Sequence, residues 1–368
     1  MHLHPRTLPA LAALCLCGVA ARSIAQDHPV SRSIEPITAH VYRALNNNYR
    51  TVFMVTDEGI ILADPLNIGF AEWFKAEAAR RFKVPVKFVV YSHHHDDHAS
   101  GGAVFADTAQ FVGHANMLSY LALPPASTRL ADIVGEYAVI AALDIDGSGF
   151  VERDESGGTL SEYEFAGYDA DGDSRLSGPE VARGPLSHVQ PPNVTFTDQL
   201  ELTLGGRRLK LQWVGRTSHG ADTSLITYPD DSVMFVVDYV DVGRLPHRDM
   251  RYEYGLLDEW MVAVRDAERL AAGFRYVTAG HGPLGTAADV TAWRRYLEEL
   301  RAEVGAGIER GQTLESLLSS IRMEKYAGWL GYHWVDQNVF GMYHHLTSNR
   351  RPVAPLPPSV RMEPTSRP

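Results

Sequence analysis

Short apolar runs broken by turn residues set the pattern of the first third of the chain. Residues 40–45, 51–56 and 60–64 are apolar or alternating, and Asn46, Asn47 and Asn48, then Asp57, Glu58 and Gly59, separate them. Such runs predict strands, and such separators predict hairpin turns. Residues 70–82 carry Phe70, Trp73, Phe74 and Ala78 at helical spacing and predict a helix. Residues 84–91 are apolar and valine-rich, which predicts a buried strand. Residues 102–124 predict a helix and a strand returning to the core. After Pro191 and Pro192 the strand pattern resumes. Runs 200–204 and 209–214 flank Gly205 and Gly206, and runs 224–228 and 233–237 flank Pro229, Asp230 and Asp231. A helix is expected over 256–274, a strand over 276–279, and two amphipathic helices over 286–310 and 313–346.

The polar positions that matter sit at the ends of these predicted strands. His93, His94, His95, Asp96, Asp97 and His98 form an unbroken run directly after the strand at 84–91. They therefore occupy a loop leaving a strand end, where a rigid scaffold presents catalytic groups. Neutral imidazoles with a carboxylate are ligands that zinc takes readily. The placement recurs downstream. Asp64 ends a strand, His219 follows 209–214, Asp238 caps 233–237, and His281 opens a Gly-His-Gly-Pro turn after 276–279.

Composition changes the picture at both ends. Residues 1–25 have early basic positions, an apolar run over 8–21 and a small-x-small pattern, Ser23, Ile24, Ala25, before Gln26. This predicts a secretory signal peptide and a periplasmic or secreted protein. Leucine precedes each of Cys15 and Cys17, so no lipid anchor is expected. Both cysteines of the chain lie in this segment, which leaves the mature chain without thiolate ligands or disulfides. Its length suits one elaborated α/β domain. Residues 351–368 contain six prolines and are expected to be disordered.

Charge singles out the middle of the chain. The formal net charge is −11, which argues against a nucleic-acid partner. Between residues 144 and 180 lie eleven acids against two bases, a net of −9. Asp144, Asp146, Ser148, Glu152 and Glu155 fall at positions 1, 3, 5, 9 and 12 of a twelve-residue calcium loop, with Phe150 at the carbonyl position and Gly149 at the sharp turn. Asp169, Asp171, Asp173, Ser177 and Glu180 repeat the spacing 25 residues later, with Arg175 at the carbonyl position and Ser174 in place of the glycine. The segment resembles a pair of abbreviated EF-hands, which implies one or two Ca²⁺ ions. It is also a candidate protein-docking surface.

With these residues in view, the chain resembles the metallo-β-lactamase superfold. The H-x-H-x-D-H motif of that family matches residues 93–98, its third histidine matches His219, its bridging acid matches Asp238, and its last histidine matches His281. The resemblance covers residues 35–124 and 190–285. The 120 residues between His98 and His219 exceed the family's usual gap, and removing the acidic segment restores it. The resemblance therefore implies a four-layer αββα sandwich, built from residues 26–124 and 189–350 and interrupted by an insertion at 125–188. It implies two zinc ions. His93, His95 and His219 would hold one, Asp97, His98 and His281 the other, and Asp238 would bridge them. Asp64 would buttress the motif loop, Asp97 would orient the attacking water, and His94 and Asp96 would not be ligands. The implied reaction is hydrolysis of an ester, lactone, amide or lactam in a small-molecule substrate.

Alternatives within and beyond that class stay open. β-Lactamases of the main zinc subclass carry a cysteine where Asp238 stands and a lysine where Asp241 stands, so a carboxylate anchor would fall to Arg244 or Arg248. Glyoxalase II has a similar ligand set, but no basic patch for glutathione is present near the C-terminus. Persulfide dioxygenases of the same superfold use one iron. A calcium-dependent binding protein with an inert lactamase-like part is the non-enzymatic alternative. Tyr239 is a candidate oxyanion donor or core residue, and His333, His344 and His345 are expected to be packing or surface residues.

Overall fold

The computed structural model describes residues 30–251 and 256–348; the predicted signal peptide and proline-rich tail lie outside them. The apolar runs at the start form an antiparallel meander of β1 (Arg32–Pro36), β2 (Val41–Asn46), β3 (Tyr49–Thr56) and β4 (Gly59–Ala63). Between β2 and β3 the chain turns at Asn47 with φ +54, a left-handed conformation that asparagine tolerates. Asn67 caps α1 (Ile68–Arg81) by accepting the Phe70 N–H. The helix returns the chain to β5 (Val86–Val90), which pairs parallel to β4. The single turn α2 (Asp96–Ala99) follows, then β6 (Gln110–His114) parallel to β5, then α3 (Met117–Leu121).

The acidic segment comes next, as α4 (Ala138–Ala141), β7 (Phe150–Glu152), α5 (Glu162–Tyr168), β8 (Arg175–Ser177) and α6 (Gly178–Arg183). β7 and β8 pair antiparallel with Val151 opposite Leu176. Leu130, Ile140, Val151, Phe165, Leu176 and Val181 form an apolar cluster separate from the main core. Gly149 and Ser174 occupy equivalent turns at φ +88 and +66. Ser174 thus keeps the turn that glycine makes freely, at a cost on the order of 1 kcal/mol.

β9 (Val194–Phe196) then joins the first sheet beside β6. A second meander, β10 (Gln199–Leu204), β11 (Arg207–Trp213), β12 (Ser224–Tyr228) and β13 (Val233–Val237), starts the second sheet. α7 (Leu257–Ala271) crosses over to β14 (Tyr276–Ala279), parallel to β13. α8 (Ala287–Glu309), α9 (Leu314–Ser320) and α10 (Val335–Ser348) close the described chain.

The sheets run β1-β2-β3-β4-β5-β6-β9 and β10-β11-β12-β13-β14. Side chains alternate between faces along each strand. Val52, Met54, Ile61 and Val90 of the first sheet meet Leu209, Leu211, Ile226 and Phe235 of the second. Phe53 and Leu62 on the outer face of the first pack on Phe70 and Phe74 of α1. Met234 and Val236 on the outer face of the second pack among Trp260, Trp293 and Met342 from α7, α8 and α10. The expected four-layer αββα sandwich is the fold. β13 is buried along its whole length, because both its faces are covered.

One expectation is corrected and one strand is added. The single helix over 313–346 is two helices, since Met323 at φ +49 and Gly331 at φ +73 take left-handed backbone between α9 and α10, which no α-helix continues through. β1 adds an edge strand that the apolar pattern does not announce.

Candidate metal centre

Parallel pairing of β4 with β5, and of β13 with β14, brings four strand ends to one edge of the sandwich. Asp64 leaves β4, the run 93–98 leaves β5, Asp238 leaves β13, and His281 follows β14. The loop between β11 and β12 adds His219. All seven residues expected as ligands gather there. Asp97, His98, Asp238 and His281 offer atoms within 4.8 Å of one another. Beside them, the ring centroids of His93 and His95 are 4.4 Å apart, those of His93 and His219 5.6 Å, and those of His95 and His219 5.3 Å. Asp238 lies between the groups: its Oδ2 is 3.0 Å from His98 Nε2, 3.6 Å from His281 Nε2 and 3.9 Å from His219 Nε2.

Hydrogen bonds on the far side of the rings turn Nε2 inward. Nδ1 of His93 is 2.9 Å from Ser92 Oγ, that of His98 3.3 Å from Asp64 Oδ2, that of His219 3.0 Å from Ser218 Oγ, and that of His281 2.9 Å from the Asn48 carbonyl. Fixing one ring nitrogen commits the other to the centre. Asp64 is fully buried and accepts both the Ser92 N–H at 2.8 Å and the Ser92 hydroxyl at 2.6 Å. Among the described residues, His93 Nε2 and Asp238 Oδ1 are buried with no hydrogen-bond partner, and His98 Nε2 has only the Asp238 carboxylate beside it. Buried polar atoms are normally satisfied, and these three point to a cation as the missing partner. The donor set fits a divalent ion of borderline softness.

Electrostatics separates the histidines into two kinds. Burial pushes His93, His95 and His219 well below the ordinary imidazole range, which leaves neutral rings with free lone pairs. Burial works the same way on His98, but Asp238 and Asp97 outweigh it and hold this ring well above the ordinary range. His281 is raised too, by Asp238 against burial. Burial would raise the Asp238 carboxyl, yet His98 and His281 hold it well below its ordinary value.

A cleft of about 450 Å³ opens over the cluster, lined also by Asn47, Asn48, Tyr49, Arg244, His247, Arg251 and Trp334. Arg244 places Nη1 3.0 Å from Asp241 Oδ1, and its guanidinium sits 5.0 Å from the Trp334 ring centroid. Burial pushes the Asp241 carboxyl up to about 6 despite Arg244. Arg251 stands near the other group of ligands, where its charge helps lower His95 and His219. Arg248, Met250 and Arg251 have φ of +45, +59 and +49. Such backbone costs roughly 1–3 kcal/mol per residue and persists only where the surroundings enforce it. α10 does so here. Asn338 Nδ2 donates to the Pro246 and Arg248 carbonyls, and His345 Nε2 lies 3.3 Å from the Met250 carbonyl. Gly341 meets the same loop so closely that a Cβ would stand 1.7 Å from the Asp249 carbonyl.

Other expected residues fall as follows. Arg244 lines the cleft, but Arg251 takes the place expected of Arg248, which is not among the lining residues. No local spacing flags Arg251. Tyr239 is fully buried in the apolar cluster of the second sheet and does not line the cleft. His345 is a buried packing residue as expected, and His333 lies against Trp334. In the acidic segment, Asp144, Asp146 and Glu155 offer atoms within 4.8 Å of one another, as do Asp169, Asp171 and Glu180. Ser148 Oγ is 3.2 Å from Glu152 and 3.3 Å from the Phe150 carbonyl, while Asp173 is paired with Arg175 at 2.9 Å and Ser177 Oγ is 2.7 Å from Glu180. Tyr163 of α5 lies against Ser100 and Ile68, near Asp96, so this segment touches the loop that carries the ligand run.

The family model described as the metallo-beta-lactamase superfamily matches residues 51–301. The linear primary-alkylsulfatase of Pseudomonas sp. (strain ATCC 19151) is 25% identical over 191 residues, which are 52% of this chain and 33% of that protein. The structure of the stereoselective inverting sec-alkylsulfatase Pisa1 from Pseudomonas sp. superposes with a TM-score of 0.55 at 14% identity, covering 86% of this chain and 50% of that one. A metallo-beta-lactamase from Pontibacter korlensis aligns with a TM-score of 0.48 at 17% identity, over 73% of this chain and 99% of that one. The chain thus spans a third of the curated alkylsulfatase and half of Pisa1.

Proposed function

The chain belongs to the metallo-beta-lactamase superfamily of metal-dependent hydrolases, and from that premise we propose that it is an exported dinuclear zinc hydrolase acting on an ester-type bond in a small, negatively charged substrate. The position of Asp238 carries this reading, because one carboxylate oxygen lies within 4 Å of histidines from both ligand groups. His93, His95 and His219 would hold one ion, Asp97, His98 and His281 the other, with Asp238 shared. When bound there, divalent ions would lower the pKa of a water toward neutrality and polarise the bond to be cleaved. Asp97 is 3.7 Å from His98 Nε2, with a partly exposed side chain on the cleft; it orients the water and takes up its proton. Arg244 and Arg251 offer positive charge on either side of the cluster, which suits an anionic substrate such as a sulfate ester. The alkylsulfatase relatives support that choice.

Metal analysis and a substrate panel test the reading. Purified protein is expected to hold about two zinc ions and to turn over an alkyl or aryl sulfate, or a carboxylate-bearing ester or lactone, faster than a β-lactam. One iron and no zinc would replace this reading with the dioxygenase one. Export rests on the leader-like residues 1–25. Among the described residues no helix is long and apolar enough to cross a membrane.

The insertion at 125–188 is read as a calcium-binding pair and a candidate docking surface. Two carboxylate clusters at equivalent loop positions, joined back to back by β7 and β8, support it. At a free calcium concentration about ten times Kd, each occupied site is expected to stabilise the fold by about 1.4 kcal/mol. Calcium titration should therefore raise the melting temperature of the wild type and not that of a Glu155→Gln/Glu180→Gln variant. A wild type that shows neither a melting shift nor calorimetric binding would reject the calcium reading.

A further inference from the structure

We propose that His94 and Asp222 are positioning residues, a buried cross-link that holds the His219 loop against the loop bearing His93 and His95. The inference rests on the reading of this centre as a zinc site. His94 stands between two of the proposed ligands in sequence, and its ring lies 4.8 Å from that of His95 by centroid, yet its Nδ1 is bound to Asp222. Its Nδ1 lies 3.0 Å from Asp222 Oδ1, and His94 and Asp222 are 8% and 1% exposed. The imidazole lies flat on Tyr120, with centroids 3.7 Å apart and planes 1° from parallel. Asp222 follows His219 by three positions. The bond therefore ties the end of β5, in the first sheet, to the loop between two strands of the second.

The same loop is gripped one residue earlier. The Ala221 N–H donates to the Tyr120 hydroxyl at 2.8 Å, and the Ala221 carbonyl accepts from Asn116 Nδ2 at 2.7 Å and from Trp213 Nε1 at 2.9 Å. Tyr120 thus touches both halves of the link, under the His94 ring and at Ala221. Gly220 leaves room for it: with φ +113, a Cβ there would stand 2.9 Å from both Asp222 Oδ1 and His94 Cε1. Among the described residues Asp222 Oδ2 is buried with no hydrogen-bond partner, so His94 is the partner this carboxylate depends on.

The arrangement addresses a physical requirement. Three imidazoles from two sheets must be in place before an ion arrives, or binding must order the loop each time and affinity falls. Among the described residues, backbone hydrogen bonding ties the two loops only at the Ser224 N–H to Ser92 carbonyl bond, 2.8 Å. His94 with Asp222 adds a side-chain link next to His219 itself.

The test compares wild type, His94→Ala, and His94→Ala/Asp222→Ala, the last of which leaves no buried carboxylate behind. Zinc affinity is measured by competition with a chromophoric chelator, and melting temperature is measured on zinc-free and zinc-loaded protein. Both variants are expected to bind zinc about 10–100-fold more weakly. In the double variant the zinc-free melting temperature should stay close to wild type, and His94→Gln, which keeps a donor toward Asp222, should recover part of the affinity. A folded double variant with zinc affinity within about twofold of wild type would overturn the link as a positioning device. A wild type that takes up no zinc would overturn the metal reading, and this inference with it.

Discussion

Asp97→Asn and His219→Ala are each expected to lower kcat/KM on the order of 10⁴-fold, the scale of losing one member of an interdependent catalytic set, while the chain stays folded. Asp97 reaches the cleft from the first turn of α2, and His219 sits on a loop between strands. Neither belongs to the three large apolar clusters that join the four layers. Asn keeps the shape of Asp97 and removes its capacity to take a proton. Ala at 219 removes one of three neutral imidazoles. Kinetics on the best substrate of the panel, circular dichroism and metal content together check this. Turnover unchanged in either folded variant would sink the assignment of this centre as the hydrolytic site.

The second large effect is expected at Asp64. This residue is fully buried at the end of β4 with φ +42, and its carboxylate serves the Ser92 N–H, the Ser92 hydroxyl and His98 Nδ1. Ala would leave three buried groups unsatisfied, each costing about 1–3 kcal/mol. It would also free the His98 ring to rotate and lower metal affinity by roughly 10–100-fold. Asn is the sharper probe: it keeps the volume and can still accept from Ser92, but it loses the charge that faces His98. Urea denaturation reports the first effect and zinc competition the second. Lower stability with unchanged zinc affinity would reduce Asp64 to a strand-ending residue.

The residues of the candidate site were legible to different degrees. The run 93–98, with His219, Asp238 and His281, could be picked out because each follows an apolar run at a strand end. Their nearness to Asp238 follows from the family resemblance and not from local spacing, since it depends on which strands pair parallel. The sequence marks His94 only as a non-ligand, and the fold alone supplies its partner, 128 positions away. Arg251 gave no signal, because its place in the cleft comes from a left-handed loop that α10 holds in shape. Arg248, the anchor expected beside Arg244, is not among the cleft-lining residues for the same reason.

By itself, then, the sequence determined what contiguous spacing encodes. Apolar periodicity marked the strands of both sheets, the H-x-H-x-D-H run marked one wall of the centre, and two twelve-residue spacings placed carboxylates in a repeated loop. Tertiary structure alone decided which arginines face the cleft, what His94 does, and that the last helical stretch breaks in two. A ligand run or a calcium loop carries its geometry within a few residues of one chain segment. A bridging carboxylate, a cleft wall or a cross-link between loops is made by segments that meet only after two sheets have packed face to face, and local periodicity holds no record of that meeting.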